Sequence, residues 1–305
     1  MTVSNIGASV RQRLLNLAQA KNRPFQELLQ YFAMERFLFR LSQSSRRADF
    51  VLKGGLLLHV WNAPLARATK DVDLLGRMTN SLDGVGAAVA SICNAAVVPD
   101  GVTFVTSSIQ TARIKEDADY EGVRVKFIAR IDGAEVTMQL DIGFGDTVRP
   151  ATTMVNYPTL LDFAAPTLTA YPRETVIAEK FHAMVYLGAQ NSRMKDFYDV
   201  WLLASNFAFD GAALAEAIAT TFSNRKTEVE AMPVAFNAVF TDGAAARTQW
   251  NAFRKRTKLP DSPATLQDAV AMISAFLSPV ADAIASGRQI IGTWPPLGPW
   301  QLADH

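Results

Sequence analysis

Apolar positions fall at helical spacing over residues 7–45. Val10, Leu14, Leu15, Leu17 and Ala18 form one run, Pro24 restarts it, and Leu28 to Leu41 carries it on. The short apolar run Phe50-Val51-Leu52-Lys53 predicts a strand, residues 56–62 a helix, and residues 71–75 a second strand. Helical spacing returns over 82–96, with Asp83 near its start and Gly84 and Gly86 weakening the first turn. The period then shifts to two over 102–109, 123–131 and 136–142, which predicts antiparallel strands with Asp132-Gly133 as a hairpin turn. Between 148 and 172, Pro150, Pro158, Pro166 and Pro172 predict a connector along the sheet edge. Beyond it the pattern is helical at 174–188, 195–206, 210–222, 245–256 and 264–286, ending in an extended tail whose tryptophans, Trp294 and Trp300, pack on the body. The expected fold class is α/β (α+β): a mixed sheet flanked by helices within residues 1–170, then a helical domain over 171–305.

Composition narrows the function more by exclusion than by assertion. A chain of 305 residues with 49% hydrophobic content can bury a sizeable core. The net charge of +1 carries no global nucleic-acid signature, so any RNA contact requires a local basic patch. One cysteine, Cys93, excludes an intramolecular disulfide framework and fits a reducing cytoplasm. Met1 to Arg13 lacks the apolar core of a signal peptide, and no run of about eighteen uninterrupted apolar residues predicts a membrane span. His59, His182 and His305 share no ligand spacing, which argues against zinc.

The chemistry concentrates in Asp71-Val72-Asp73. Carboxylates at i and i+2 on a strand face the same way and can hold a divalent metal over a phosphate. Gly54-Gly55 precedes them, between an apolar strand and a predicted helix whose N-terminus can receive phosphate oxygens. Thr69 shares parity with the two aspartates, while Lys70 has the opposite parity and is expected in solvent. Asp141, at the end of the apolar run Val136–Leu140, reads equally as a third metal ligand or as the cap of the turn Gly143-Phe144-Gly145. Lys53 adjoins the glycines, but its position alone does not aim it at a ligand.

A second cluster lies in the helical half. Lys180 sits in an apolar helical stretch, from which it can reach a polyphosphate as a point charge. Asp196 and Asp199 share a helix face, with Asp196 near a helix N-terminus and Asp199 able to pair with Lys195 or Arg193. Taken in order, Leu52-Lys53-Gly54-Gly55, Arg67-Ala68-Thr69-Lys70-Asp71-Val72-Asp73-Leu74, Ala178-Glu179-Lys180-Phe181-His182-Ala183 and Arg193-Met194-Lys195-Asp196-Phe197-Tyr198-Asp199 resemble the AbiEii/AbiGii nucleotidyltransferase toxins, the MenT-type toxins among them. The resemblance covers about residues 50–205 and implies a polymerase-β-type nucleotidyltransferase fold.

The roles it implies fall on the Gly54-Gly55 turn for phosphate, Asp71 and Asp73 for metal, Thr69 and Lys180 for nucleotide, and Asp196 for activity, while Asp141 is added to the metal set by its strand position alone. Gly55 stands where many relatives carry serine, so phosphate would meet backbone N–H groups. The implied reaction takes NMP from an NTP, with Mg²⁺ or Mn²⁺, onto an RNA, tRNA foremost. It would block translation within a toxin–antitoxin or phage-defence system with a cognate antitoxin. Two rivals share the motifs: transfer to protein side chains, and a non-catalytic nucleotide- or RNA-binding module. Arg225-Lys226 and the run Arg254-Lys255-Arg256 with Lys258 are the basic segments available to RNA, although such runs also serve as plain solvated helix faces.

Overall fold

The computed structural model describes residues 5–63, 67–117, 120–257 and 262–302. Lys258 and His305 lie outside them. The chain forms two compact units. The first comprises Met1–Trp61, Thr69–Gly145 and Thr153–Ala170; the second comprises Asn62–Ala68, Asp146–Thr152 and Tyr171–His305.

The first unit contains α1 (Ile6–Ala20), α2 (Phe25–Gln43), β1 (Phe50–Lys53), α3 (Leu57–Val60), β2 (Val72–Gly76), α4 (Leu82–Cys93), β3 (Thr103–Asp117), β4 (Tyr120–Ile131), β5 (Ala134–Phe144), β6 (Thr153–Asn156) and β7 (Thr167–Ala170). The strands form one seven-stranded sheet in the order β3-β4-β5-β2-β1-β7-β6. It is mixed, because β2–β5 and β1–β7 run parallel while the other neighbours run antiparallel. Asp132 and Gly133, both at positive φ, make the predicted two-residue hairpin turn between β4 and β5. Helix α2 carries the core, with Phe37 meeting Phe104 and Phe127 at ring separations of 6.0 and 5.7 Å.

Two expectations change here. The predicted connector over 148–172 contributes β6 and β7 to the sheet. Pro150, Pro158, Pro166 and Pro172 all lie outside those four-residue strands and bound them rather than forbid them. The loop between them is fastened to α2, where Glu35 Oε2 accepts from Leu160 N at 2.7 Å and Arg36 Nη2 donates to Ala164 O at 2.9 Å. The first hairpin is also longer than its alternation suggests, since β3 runs on to Asp117. A register shift between Val105 and Gln110 breaks the period-two pattern on this edge strand. Cys93 ends α4 buried, and burial pushes its thiol up to about 12.

The second unit contains α5 (Arg173–Leu187), α6 (Met194–Asn206), β8 (Phe209–Asp210), α7 (Gly211–Asn224), α8 (Ala238–Thr241), α9 (Ala244–Thr257), α10 (Leu266–Ala285), β9 (Gly292–Trp294) and β10 (Gln301–Leu302). Phe181 joins α5 to α7 through Phe222, at 5.4 Å between ring centroids. The tail does pack its tryptophans: Trp294 Nε1 donates to Ala204 O at 2.8 Å and Trp300 Nε1 to Phe276 O at 2.9 Å. It also forms a small sheet, β10-β9-β8, that no periodicity announces because its strands have two or three residues. Helix α10 is, by length and composition, apolar enough to cross a membrane. Its Leu266, Val270, Ile273, Phe276, Leu277 and Val280 are buried, and a Thr265–Asp268 capping box fixes its start.

Candidate active site: three carboxylates beside a glycine turn

The sheet register assembles the first cluster. Lys53 on β1 stands opposite Asp73 on β2, Asp73 opposite Asp141 on β5, and Asp141 opposite Arg124 on β4. Directly opposed residues share a face, so the row reads cation, acid, acid, cation across four adjacent strands. Asp71 lies just before β2 and joins the row from the same side, so that Asp71, Asp73 and Asp141 bring one carboxylate oxygen each within 4.8 Å of the others. The intervening Val72 and Leu74 point the other way and are buried. Asp141 does not end its strand, because β5 continues to Phe144. That takes away the turn-cap alternative.

Gly54 is at φ +74°, the left-handed region that glycine enters freely. A Cβ there would lie 2.6 Å from Asp73 Cγ and 2.7 Å from Asp73 Cβ. The missing side chain is thus the space that the Asp73 carboxylate occupies. The segment after the glycines differs from expectation. Gly54–Leu56 is a 3₁₀ turn and α3 has only four residues. So short a helix supplies little dipole, and any phosphate there would depend on local backbone N–H groups.

Thr69 holds Asp71 directly, its Oγ1 donating to Asp71 Oδ1 at 2.6 Å. Thr69 N in turn donates to Tyr31 Oη at 3.0 Å, so a tyrosine of α2 fixes the backbone ahead of the two aspartates. Sequence reasoning had no signal for Tyr31. Arg124 was also missed. Its Nε and Nη2 donate to Asp141 Oδ1 and Oδ2, both at 2.7 Å, and Gln139 Nε2 adds a third bond to Oδ2 at 3.2 Å. The hydrogen bond to Asp141 raises the Arg124 pKa further above its ordinary value, with Asp71 and Asp73 adding to it.

The donor set fits a hard divalent cation: oxygen ligands only, net negative, and close enough to share one or two ions.

The second cluster forms within the helical unit. Helix α5 starts after Pro172 and stops at Gly188, and Asn191 links the two helices that follow one another here. Its side chain accepts from Arg193 N at 2.8 Å and donates to Ala183 O at 3.4 Å. Across this turn Lys180 Nζ reaches Asp196 Oδ1 at 2.8 Å and Asp199 Oδ2 at 2.7 Å. Arg67 grips Asp199 with Nε and Nη2, each at 2.8 Å, and Arg193 Nε stands 2.7 Å from Asp196 Oδ2. Asp199 therefore pairs with Arg67 and Lys180, not with Lys195 or Arg193.

Burial alone would raise the Asp196 carboxyl, but Lys180 and Arg193 outweigh it and bring it down to about 2. Asp199 is likewise lowered, its burial outweighed by Arg67 and Lys180. Lys180, which burial would discharge, is held charged above its ordinary value by Asp196 and Asp199. The cluster is a buried network of opposite charges that favour one another's ionised forms.

Two of the basic residues offered to RNA are employed inside this unit. Arg225 is nearly buried, 3.4 Å from Glu179 Oε1 and 3.2 Å from His182 Nδ1. Arg254 donates to Ser262 Oγ at 3.2 Å and to Ala264 O at 2.9 Å, pinning the chain after α9.

The mixed sheet thus gathers an Asp-x-Asp pair at the start of β2, a third aspartate on the parallel neighbour β5 and a glycine turn beside them. The family described as "Nucleotidyl transferase AbiEii toxin, Type IV TA system" matches residues 36–272, and the chain belongs to it. Among solved structures, JHP933 from Helicobacter pylori is similar at 16% identity and TM-score 0.47, over 86% of this chain and 93% of that one. A second structure, described as "putative nucleotidyltransferase from H. pylori", is similar at 18% identity and TM-score 0.47, over 86% of this chain and 96% of that one. No curated protein matches the chain. Family membership makes the chain an NTP-using nucleotidyltransferase with an antitoxin as partner.

Proposed function

We propose that this chain transfers NMP from an NTP to an RNA, tRNA foremost, releasing pyrophosphate, and that it inhibits translation as a cytoplasmic toxin. The observation that carries the reading is the convergence of Asp71, Asp73 and Asp141 beside the side-chain-free Gly54. Asp71 and Asp73 would hold Mg²⁺ or Mn²⁺, with Asp141 beside them. When bound, the metal supplies positive charge over the phosphates and orients them for in-line attack.

The chain's own groups do the rest. Backbone N–H groups around Gly54 and Gly55 seat phosphate oxygens. Thr69 keeps one Asp71 oxygen fixed, so that the other faces the cation. Asp141 orients the acceptor hydroxyl and takes its proton. Lys180 has spent two of its three N–H donors on Asp196 and Asp199, which leaves one for a triphosphate oxygen. Asp196 and Asp199 act by keeping that ammonium charged and aimed.

The test is incubation of the full chain with each of the four α-labelled NTPs, Mg²⁺, and either total RNA or total protein, with Asp71→Ala as control. Label entering a tRNA-sized band, lost in D71A, is the expected result. Label entering protein would move the acceptor to side chains. No label in either pool would leave a binding module.

A further inference from the structure

Asp141 is the carboxylate of the cluster that an arginine grips with both arms of its fork. Its two oxygens offer about four acceptor sites. Arg124 takes two of them in a bidentate pair and Gln139 a third. The Arg124 side chain is 38% exposed while that of Asp141 is 11% exposed, so the guanidinium lies on the open side of the acid it covers. It has room to leave, whereas Asp141 sits inside β5 and does not.

We propose that Arg124 is a removable counter-ion. It withholds Asp141 from the metal until a phosphate draws the guanidinium away, so that the third carboxylate joins the site only when substrate is present. This rests on the metal-binding reading above. The physical reason is competition between like charges. A dication on Asp141 and a guanidinium on the same two oxygens repel, so each weakens the other's hold on the acid. Phosphate is the chemistry that can take Arg124, since the planar fork that fits a carboxylate also fits a phosphate. That phosphate can belong to the nucleotide or to the RNA acceptor. Arg124 is therefore a positioning residue.

The test is Mn²⁺ binding, followed by electron paramagnetic resonance, to the full chain and to Arg124→Gln, Asp141→Asn and the double variant. Without substrate, D141N is expected to change Mn²⁺ affinity less than about two-fold, because the acid is already engaged. R124Q is expected to tighten Mn²⁺ binding about ten-fold, and D141N placed on R124Q to abolish that gain. Arg124→Lys, which keeps the charge but not the fork, should fall between wild type and R124Q. A merely structural arginine would weaken binding when removed, the opposite sign. In a second series, D141N should begin to weaken binding in the otherwise wild-type chain once a non-hydrolysable NTP analogue or a short RNA is added. The arm in which this happens names the source of the phosphate.

A marked loss from D141N in the substrate-free chain, or no gain from R124Q and R124K, overturns the proposal. So does an Asp141 effect that neither phosphate source elicits. Mn²⁺ binding indifferent to Asp71→Asn would instead defeat the metal site itself, and this inference with it.

Discussion

Replacing Gly54 by alanine isolates the feature that makes room for the Asp73 carboxylate. Two costs apply. Alanine at φ +74° is strained by about 1–2 kcal/mol. Its Cβ would also stand 2.6 Å from Asp73 Cγ, and relieving that overlap costs roughly another 1–3 kcal/mol. Gly133 provides the control, because it has nearly the same backbone, φ +79°, but nothing within 4 Å of a built Cβ. Gly133→Ala should therefore lose about 1–2 kcal/mol of stability and keep Mn²⁺ binding intact. Gly54→Ala should lose about 2–5 kcal/mol and bind Mn²⁺ at least about ten-fold more weakly, since Asp73 is the group that must move. Urea unfolding and Mn²⁺ titration of the two variants side by side decide it. Equal unfolding midpoints with equal Mn²⁺ affinities would refute the claim that Gly54 is glycine to make room for Asp73.

Other expectations concern the helical unit. Arg67→Ala leaves the buried Asp199 with Lys180 as its remaining cation and should cost about 3–5 kcal/mol in chemical denaturation; a loss below about 1 kcal/mol would show that the pair is solvated. Burial, then Arg225, hold the His182 imidazole at about 4, below the 6.5 of the unfolded chain, so the unfolded state binds the proton first. Stability should then fall as pH drops from 6.5 towards 4, by up to about 3 kcal/mol, and His182→Asn should flatten that slope. Asp196 has the usual depressed carboxylate sign: its contribution of about 2 kcal/mol is present above pH 3.8 and disappears as pH falls through 2. Carboxyl-carbon NMR should find its midpoint near 2 in wild type and higher in Lys180→Met; an unmoved midpoint would break the assigned pairing.

Much of this arrangement could be read from residue order. The i, i+2 rule put Asp71 and Asp73 on one face, and the hairpin at Asp132-Gly133 marked the strands on either side of it. Counting outward from that two-residue turn pairs Arg124 with Asp141, the bond the structure shows. Tyr31 could not be found in this way, because its contact to Thr69 joins elements 38 positions apart with no local pattern. Asp199 was assigned near neighbours because helical spacing ranks Lys195 and Arg193 first, whereas the partner that wins comes from 132 positions away. The four-residue strands β6 and β7 are too short for any period to register, and their flanking prolines signal loop. Arg225 looked like surface charge because burial of a cation depends on acids, here Glu179, that sequence proximity does not reveal.

Cys93, the single thiol of the chain, is buried and so weakly acidic that almost none of it is thiolate at neutral pH. Maleimide reagents should pass it by. Cysteines introduced at Val98 in the sheet unit and Val239 in the helical unit, 83% and 85% exposed, would then accept a pair of spin or fluorescent labels on an otherwise native background. The native protein is in effect a ready-made cysteine-free scaffold, on which the distance between its two halves can be followed as nucleotide arrives.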